Sequence, residues 1–214
     1  MYLVKTPSLV QRLYPCWLWR MPGPQRIIYL TFDDGPTPHL TDEVLCWLSK
    51  YNARATFFLV GDNVSRYPHL KQRIAAGGHS LGNHTYHHLN GWLTPTQVYL
   101  NDIALCNKLV SGTLFRPPYG LLTRQQSRLA ARNYRIIMWD VLSGDFDTSI
   151  SREKCLHNVL QHVSAGSIVV FHDSMKAADR MLYVLPRVLD HYATLNYRFE
   201  AIPADVKATD NFAC

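Results

Sequence analysis

The chain has 214 residues, 47% of them apolar and 18% charged, ordinary values for one globular domain and unlike those of disordered or fibrous chains. Its 22 Lys and Arg exceed 16 Asp and Glu, giving a net charge of +6 that favours acidic partners such as anionic cell-wall polymers. No run of five or six basic residues marks a nucleic-acid arm, so no nucleic-acid partner is expected.

Residues 1–25 read as an N-terminal segment packed on the domain that follows. Its apolar stretch at 13–19 is bounded or broken by Arg12, Pro15 and Arg20, offers no signal-peptide cleavage site and is too short to span a bilayer. No transmembrane segment and a cytoplasmic location are expected; the aromatic and basic residues at 10–19 would also suit a membrane surface. From residue 26 short apolar runs alternate with helical patterns. Strands are predicted at 26–32, 55–60, 80–83, 114–116, 135–139, 167–171 and 197–201, and helices near 40–50, 63–76, 95–110, 123–132, 152–163 and 177–192. Thr94-Pro95-Thr96-Gln97 reads as a helix start with a capping hydroxyl and proline at the first helical position. The runs at 26–32, 55–60 and 167–171 are almost wholly apolar, as in strands covered on both faces. The alternation implies a parallel α/β fold, as a barrel or an open sheet, in a single domain over 26–205 with a tail at 206–214. Cys16, Cys46, Cys106, Cys155 and Cys214 are widely spaced, odd in number and form no C-x-x-C pair, so reduced buried thiols are expected.

The reactive residues recur at one place in this pattern. Asp33-Asp34, His84, Arg116, Asp140 or Asp145, and His172-Asp173 fall at or just beyond the C-terminal end of a predicted strand, and in a β/α barrel those ends share one rim. Two adjacent carboxylates after an apolar strand cannot both enter a core; taken alone they suit a solvated turn. His84 and His88, four residues apart, fit one side of a helical turn. With one carboxylate they make the three-ligand, one-open-position set of catalytic zinc. His87 projects elsewhere, and His79, after Gly77-Gly78, suits a turn or core hydrogen bond. Pro117 and Pro118 remove two donors, which leaves the Tyr119 N–H as the next one available. His172 stands at a strand end, suited to proton transfer.

TFDDGP (31–36), HTYHH (84–88), RPPYG (116–120), WDVLSGDF (139–146) and VVFHD (169–173) resemble, in order, the five motifs of the polysaccharide deacetylases, the family-four carbohydrate esterases with the NodB homology domain. The resemblance implies a distorted (β/α) barrel of seven or eight parallel strands and one divalent metal, Zn2+ being the expected ion, held by Asp34, His84 and His88. It implies Asp33 as general base, Arg116 as the arginine that restrains it, the Tyr119 N–H as oxyanion donor, and His172 as general acid held by Asp145. The choice of Asp145 rests on alignment, because Asp140 and Asp147 flank it. Phe146 stands where the family commonly has tryptophan, and Leu89 replaces a proline often found after the second metal histidine. The implied reaction removes N-acetyl groups from N-acetylglucosamine-containing glycans, chitooligosaccharide or peptidoglycan. Tyr86, Trp92, Tyr119 and Phe146 are expected to contact the sugar, and Trp139 to serve either the core or the sugar. Alternatives are an O-acetyl esterase of acetyl-xylan type and a non-catalytic carbohydrate-binding protein on the same scaffold. A two-metal phosphodiesterase needs more ligands than this set offers. Oligomeric state has no signature in the sequence.

Overall fold

The computed structural model describes residues 2–206; Cys214 and the expected tail beyond residue 206 lie outside them. The elements run α1 (Ser8–Leu13), β1 (Ile27–Asp33), α2 (Leu40–Lys50), β2 (Thr56–Leu59), α3 (Gly61–Arg66), α4 (Pro68–Ala76), β3 (Ser80–Asn83) and α5 (Thr96–Val110). They continue with β4 (Leu114–Phe115), α6 (Arg124–Ala130), β5 (Arg135–Ile136), β6 (Val141–Leu142), α7 (Arg152–His162), β7 (Ile168–His172), α8 (Ala178–Thr194) and β8 (Arg198–Phe199). The strands form one sheet in the order β5-β4-β3-β2-β1-β7-β6, with β8 paired to the start of β1, and every named pairing is parallel. Twisted in this way the sheet curls into a distorted (β/α) barrel, left open between β5 and β6.

The N-terminal segment occupies that opening. Leu18 bridges Ile137 in parallel, while Lys5 and Arg20 bridge Val141 and Ser167 in antiparallel. Its anchor is Asp140, fully buried, which accepts hydrogen bonds from Lys5 Nζ at 2.7 Å, from Ser167 Oγ at 2.6 Å and from Arg20 Nη1.

Strand periodicity decides what faces where. On β1, Ile28, Leu30 and Phe32 pack outward against Val44 and Leu48 of α2 and Leu185 of α8, whereas Tyr29 joins the interior cluster with Phe58, Leu114 and Ile168. Thr31 and Asp33 share the parity of Tyr29 and so enter the barrel interior. On β7 the same alternation sends Val169 and Phe171 outward and leaves His172 on the inward parity of Ile168. A carboxylate and an imidazole thus reach one cavity from neighbouring strands whose Asp33 and His172 are in register.

Several sequence expectations are corrected. The helix predicted at 63–76 is two helices, broken at Tyr67 (φ −130°, ψ 58°) because the residue before a proline is excluded from the α region. The segment at 141–142 is an additional short strand. Pro95, not Thr94, precedes α5, with no side-chain cap; Thr94 Oγ1 donates to Asn90 O at 2.7 Å. The capping box lies instead at Thr123 and Gln126 of α6. Cys106 and Cys155 are buried free thiols as expected, whereas Cys46 is an exposed free thiol, against the expectation. Among the described residues no helix is long and apolar enough to cross a membrane.

Breaking the buried anchor leaves two cations facing an emptied site. Asp140→Ala is expected to lower unfolding stability by about 3 kcal/mol, the low end for such losses because Lys5 and Arg20 are each about a third exposed. Chemical denaturation checks this, and a loss under about 1 kcal/mol would contradict the segment's role in closing the barrel.

Candidate active site

At the end of β1 the chain turns at Asp34, whose φ of 76° lies in the left-handed region. The two neighbouring carboxylates are thereby sent to different partners. Asp33 Oδ1 accepts from Arg116 Nη1 at 2.7 Å, and Asp34 Oδ1 lies 3.2 Å from His88 Nε2 and 3.8 Å from His84 Nε2. Arg116 is fully buried, and its other donors reach Thr31 Oγ1 (2.7 Å), Met138 O (2.9 Å) and Ile137 O (3.2 Å), with the Phe58 ring 4.1 Å below the guanidinium.

The 84–88 segment is a loop, not the expected helical turn, with Thr85 at φ 60° and His88 at φ 54°. Two residues with no sequence signature shape it. Asp102 of α5 accepts the backbone N–H groups of Tyr86 and His87, both at 2.9 Å, and pairs with His87 Nδ1 at 2.5 Å. Asn83 Oδ1 accepts the Thr85 N–H at 2.9 Å. His84 and His88 consequently stand with ring centroids 5.0 Å apart.

The three side chains fit a divalent cation. Their ligand atoms all lie within 4.8 Å of one another. Burial pushes the His84 imidazole down to about 4, so it is neutral. Its Nδ1 lies 2.8 Å from Arg116 O, an arrangement that makes Nδ1 the donor and leaves the Nε2 lone pair toward Asp34. Burial raises the Asp34 carboxyl, but the His88 hydrogen bond and the surrounding histidines outweigh it and hold it well below the usual carboxylate range. One carboxylate and two imidazoles form the donor set of a catalytic zinc site.

His172 faces the same cavity. Its Nδ1 meets Asp145 Oδ1 at 2.7 Å, and its backbone N–H donates to Asp145 Oδ2 at 2.7 Å. Burial disfavours the imidazolium, yet Asp145 overcomes this and raises His172 to about 9. Asp145 is itself fully buried, with Arg180 Nε donating to its carbonyl at 2.8 Å. Asp140 serves the N-terminal anchor, and Asp147 bonds Ser149 at the surface. Asp173 accepts from Thr41 Oγ1 at 2.5 Å, and burial raises its carboxyl to about 7.

Asp33, Asp34, His84, His88 and His172 line a cavity of about 460 Å³ together with Tyr119, Trp139 and Phe146. Tyr119, at φ 61°, sets its ring edge-on to His88 with centroids 4.8 Å apart. Tyr86 and Trp92, also expected to contact the sugar, do not line this cavity. Tyr86 packs inward against the outer core and Gly61, and Trp92 stands on the surface with its indole N–H donating to Leu122 O at 3.0 Å. Tyr2 and Lys176 line the cavity without having been singled out in the sequence.

A profile of the polysaccharide deacetylases matches residues 20–137, more than half of the chain. The chain belongs to this family. It is 31% identical over 191 residues to a peptidoglycan-N-acetylglucosamine deacetylase of Bacillus cereus, covering 86% of this chain and 90% of that protein. It is 31% identical over 159 residues to a chitooligosaccharide deacetylase of Azorhizobium caulinodans, covering 70% and 74%. The crystal structure of the Bc1960 peptidoglycan N-acetylglucosamine deacetylase superposes with a TM-score of 0.85 at 29% identity, over 92% of this chain and 95% of that one.

Within this polysaccharide deacetylase domain, the dependence of the histidine loop on Asp102 has a measurable consequence. Asp102→Ala is expected to weaken Zn2+ binding by about 10–100-fold in chelator competition, the usual penalty for losing a group that orients metal ligands. Unchanged affinity would show that the loop holds its shape without Asp102.

Proposed function

We propose that the protein hydrolyses the N-acetyl group of N-acetylglucosamine residues in a glycan, with peptidoglycan strands preferred over chitooligosaccharides. The observation that carries this reading is a carboxylate held by Arg116 and an imidazole held by Asp145, facing one cavity beside the Asp34-His84-His88 set. A divalent ion bound by those three, Zn2+ by donor chemistry, supplies Lewis-acid polarisation of the acetyl carbonyl and lowers the pKa of water from 15.7 to roughly 7.

Asp33 acts as general base. Arg116 occupies its Oδ1, and the other oxygen takes the proton of the attacking water. As negative charge grows on the acetyl oxygen, the Tyr119 N–H donates to it; one such donor is typically worth about 2.7–4 kcal/mol. His172, protonated beside Asp145, then delivers a proton to the departing amine nitrogen, which is a very poor leaving group as an anion. An ester needs less of this help, and the His172-Asp145 pair therefore supports amide cleavage over O-deacetylation. Trp139, Phe146 and Tyr119 offer ring faces or edges to the sugar. Lys176 on the cavity wall and the net charge of +6 support an anionic polymer over a neutral one, as do the relatives named for peptidoglycan.

Acetate released by the Zn2+-loaded protein from peptidoglycan, chitooligosaccharides and acetyl-xylan tests the reading. Release from the first two is expected; release from acetyl-xylan alone, or from none, contradicts it. His172→Ala is expected to reduce kcat by about 10²–10⁴-fold with metal content retained. The acid form of His172 persists up to about pH 9 and is lost as pH rises through that value. Asp145→Asn removes the charge that raises it, so the alkaline limb of the kcat profile is expected to move to lower pH; an unmoved limb would detach Asp145 from the acid.

A further inference from the structure

The segment that closes the barrel also reaches the catalytic rim. Residues 4–6 run antiparallel along β6, with the Leu142 N–H donating to Val4 O at 2.8 Å and the Thr6 N–H donating to Asp140 O at 3.0 Å. β6 is parallel to β7, whose C-terminal end carries His172. Antiparallel pairing therefore means that falling residue numbers climb toward the rim where the reactive groups gather. Two residues beyond Val4, Tyr2 arrives level with the loop that carries Asp145.

Its side chain is fitted there closely. The Tyr2 ring packs on Phe146 with centroids 5.0 Å apart at 57°, and Phe146 in turn meets His172 edge-on at 5.1 Å. Burial, and the Asp147 carboxylate nearby, raise the Tyr2 hydroxyl to about 12. A Cβ at position 144 would come within 2.7 Å of that hydroxyl, and Gly144 has φ 82°, so both space and backbone require glycine there. Tyr2 also lines the cavity that holds Asp33, Asp34, His84, His88 and His172. Tyr2 and Phe146 together form a continuous aromatic wall, assembled from the N-terminal segment and the motif-four loop.

We propose that Tyr2 is a substrate-binding residue whose ring, backed by Phe146, receives the apolar face of the sugar carrying the acetamido group. The N-terminal segment would then supply part of the glycan site as well as closing the barrel. This rests on the deacetylase reading given above. Sugar rings present C–H faces that pack on aromatic surface, and such pockets fix orientation with a few polar groups while burying the rest of the ligand.

The test uses the full-length Zn2+-loaded protein and chitotetraose, reading steady-state acetate release and, separately, the dissociation constant by calorimetry. Tyr2→Ala is expected to raise KM and Kd roughly tenfold, the equivalent of about 1.4 kcal/mol, with kcat changed less than about twofold. Tyr2→Phe, which keeps the ring and loses only the hydroxyl, is expected to stay near wild type. If Tyr2→Ala does not fold, Tyr2→Leu keeps apolar packing without an aromatic face and carries the same expectation. A wild type that releases acetate beside an alanine variant of unchanged KM and Kd overturns this inference alone. So does a variant that loses kcat at constant KM, since the ring would then act through His172. Where the wild type binds chitotetraose without releasing acetate, Kd still decides the role of Tyr2, and acetate release from peptidoglycan judges the deacetylase reading. A wild type that neither binds nor turns over chitotetraose overturns the inference, and acetate release from peptidoglycan then judges the reading separately.

Discussion

A single buried guanidinium organises the active site. Arg116 has no exposed surface, and a charge so placed is strongly unfavourable unless its donors are met. They are met from four directions at once: Thr31 and Asp33 on β1, and the carbonyls of Ile137 and Met138 beyond β5. Its own carbonyl bonds the Nδ1 of His84. One residue therefore restrains the Asp33 carboxylate and, through its carbonyl, the His84 imidazole of the candidate metal set. A lysine has neither the planar fork nor the number of donors for this.

The remainder follows from strand parity. Because side chains alternate along β1 and β7, Asp33 and His172 are carried inward by the same periodicity that sends Phe32 and Phe171 to the outer core. The left-handed turn at Asp34 then brings into the same cavity a residue that a regular continuation would have left on the opposite face of the strand. Asp33 stays with Arg116, and Asp34 joins the histidines. Nearly identical carboxylates acquire different environments, and different environments are what allow them different chemistry.

Much of this was legible in the sequence because it depends on local pattern. Apolar runs marked the long strands, and the reactive residues at their ends marked the rim. What escaped depends on tertiary partners. The spacing of His84 and His88 matches a helical turn, but Asp102 and Asn83 offer the backbone other hydrogen bonds and the segment becomes a loop with two positive φ values. Asp102 itself looks in sequence like one polar residue of an amphipathic helix. Tyr86 and Trp92 lie near motifs along the chain, yet one packs half-buried against the outer core, the other stands on the surface, and neither lines the cavity. β6 spans two residues, too few to carry a period, and the N-terminal segment that pairs with it is more than 130 positions away in sequence.

The central claim is a division of labour: Asp34, His84 and His88 grip one ion while Asp33 stays with Arg116. Anomalous diffraction at the zinc edge from crystals of the Zn2+-loaded protein tests it most directly. The account predicts a single peak in the cavity, about 2.0–2.2 Å from a carboxylate oxygen of Asp34 and one nitrogen each of His84 and His88, with the Asp33–Arg116 pair intact. A peak coordinated by Asp33, or none at these three side chains, would contradict it.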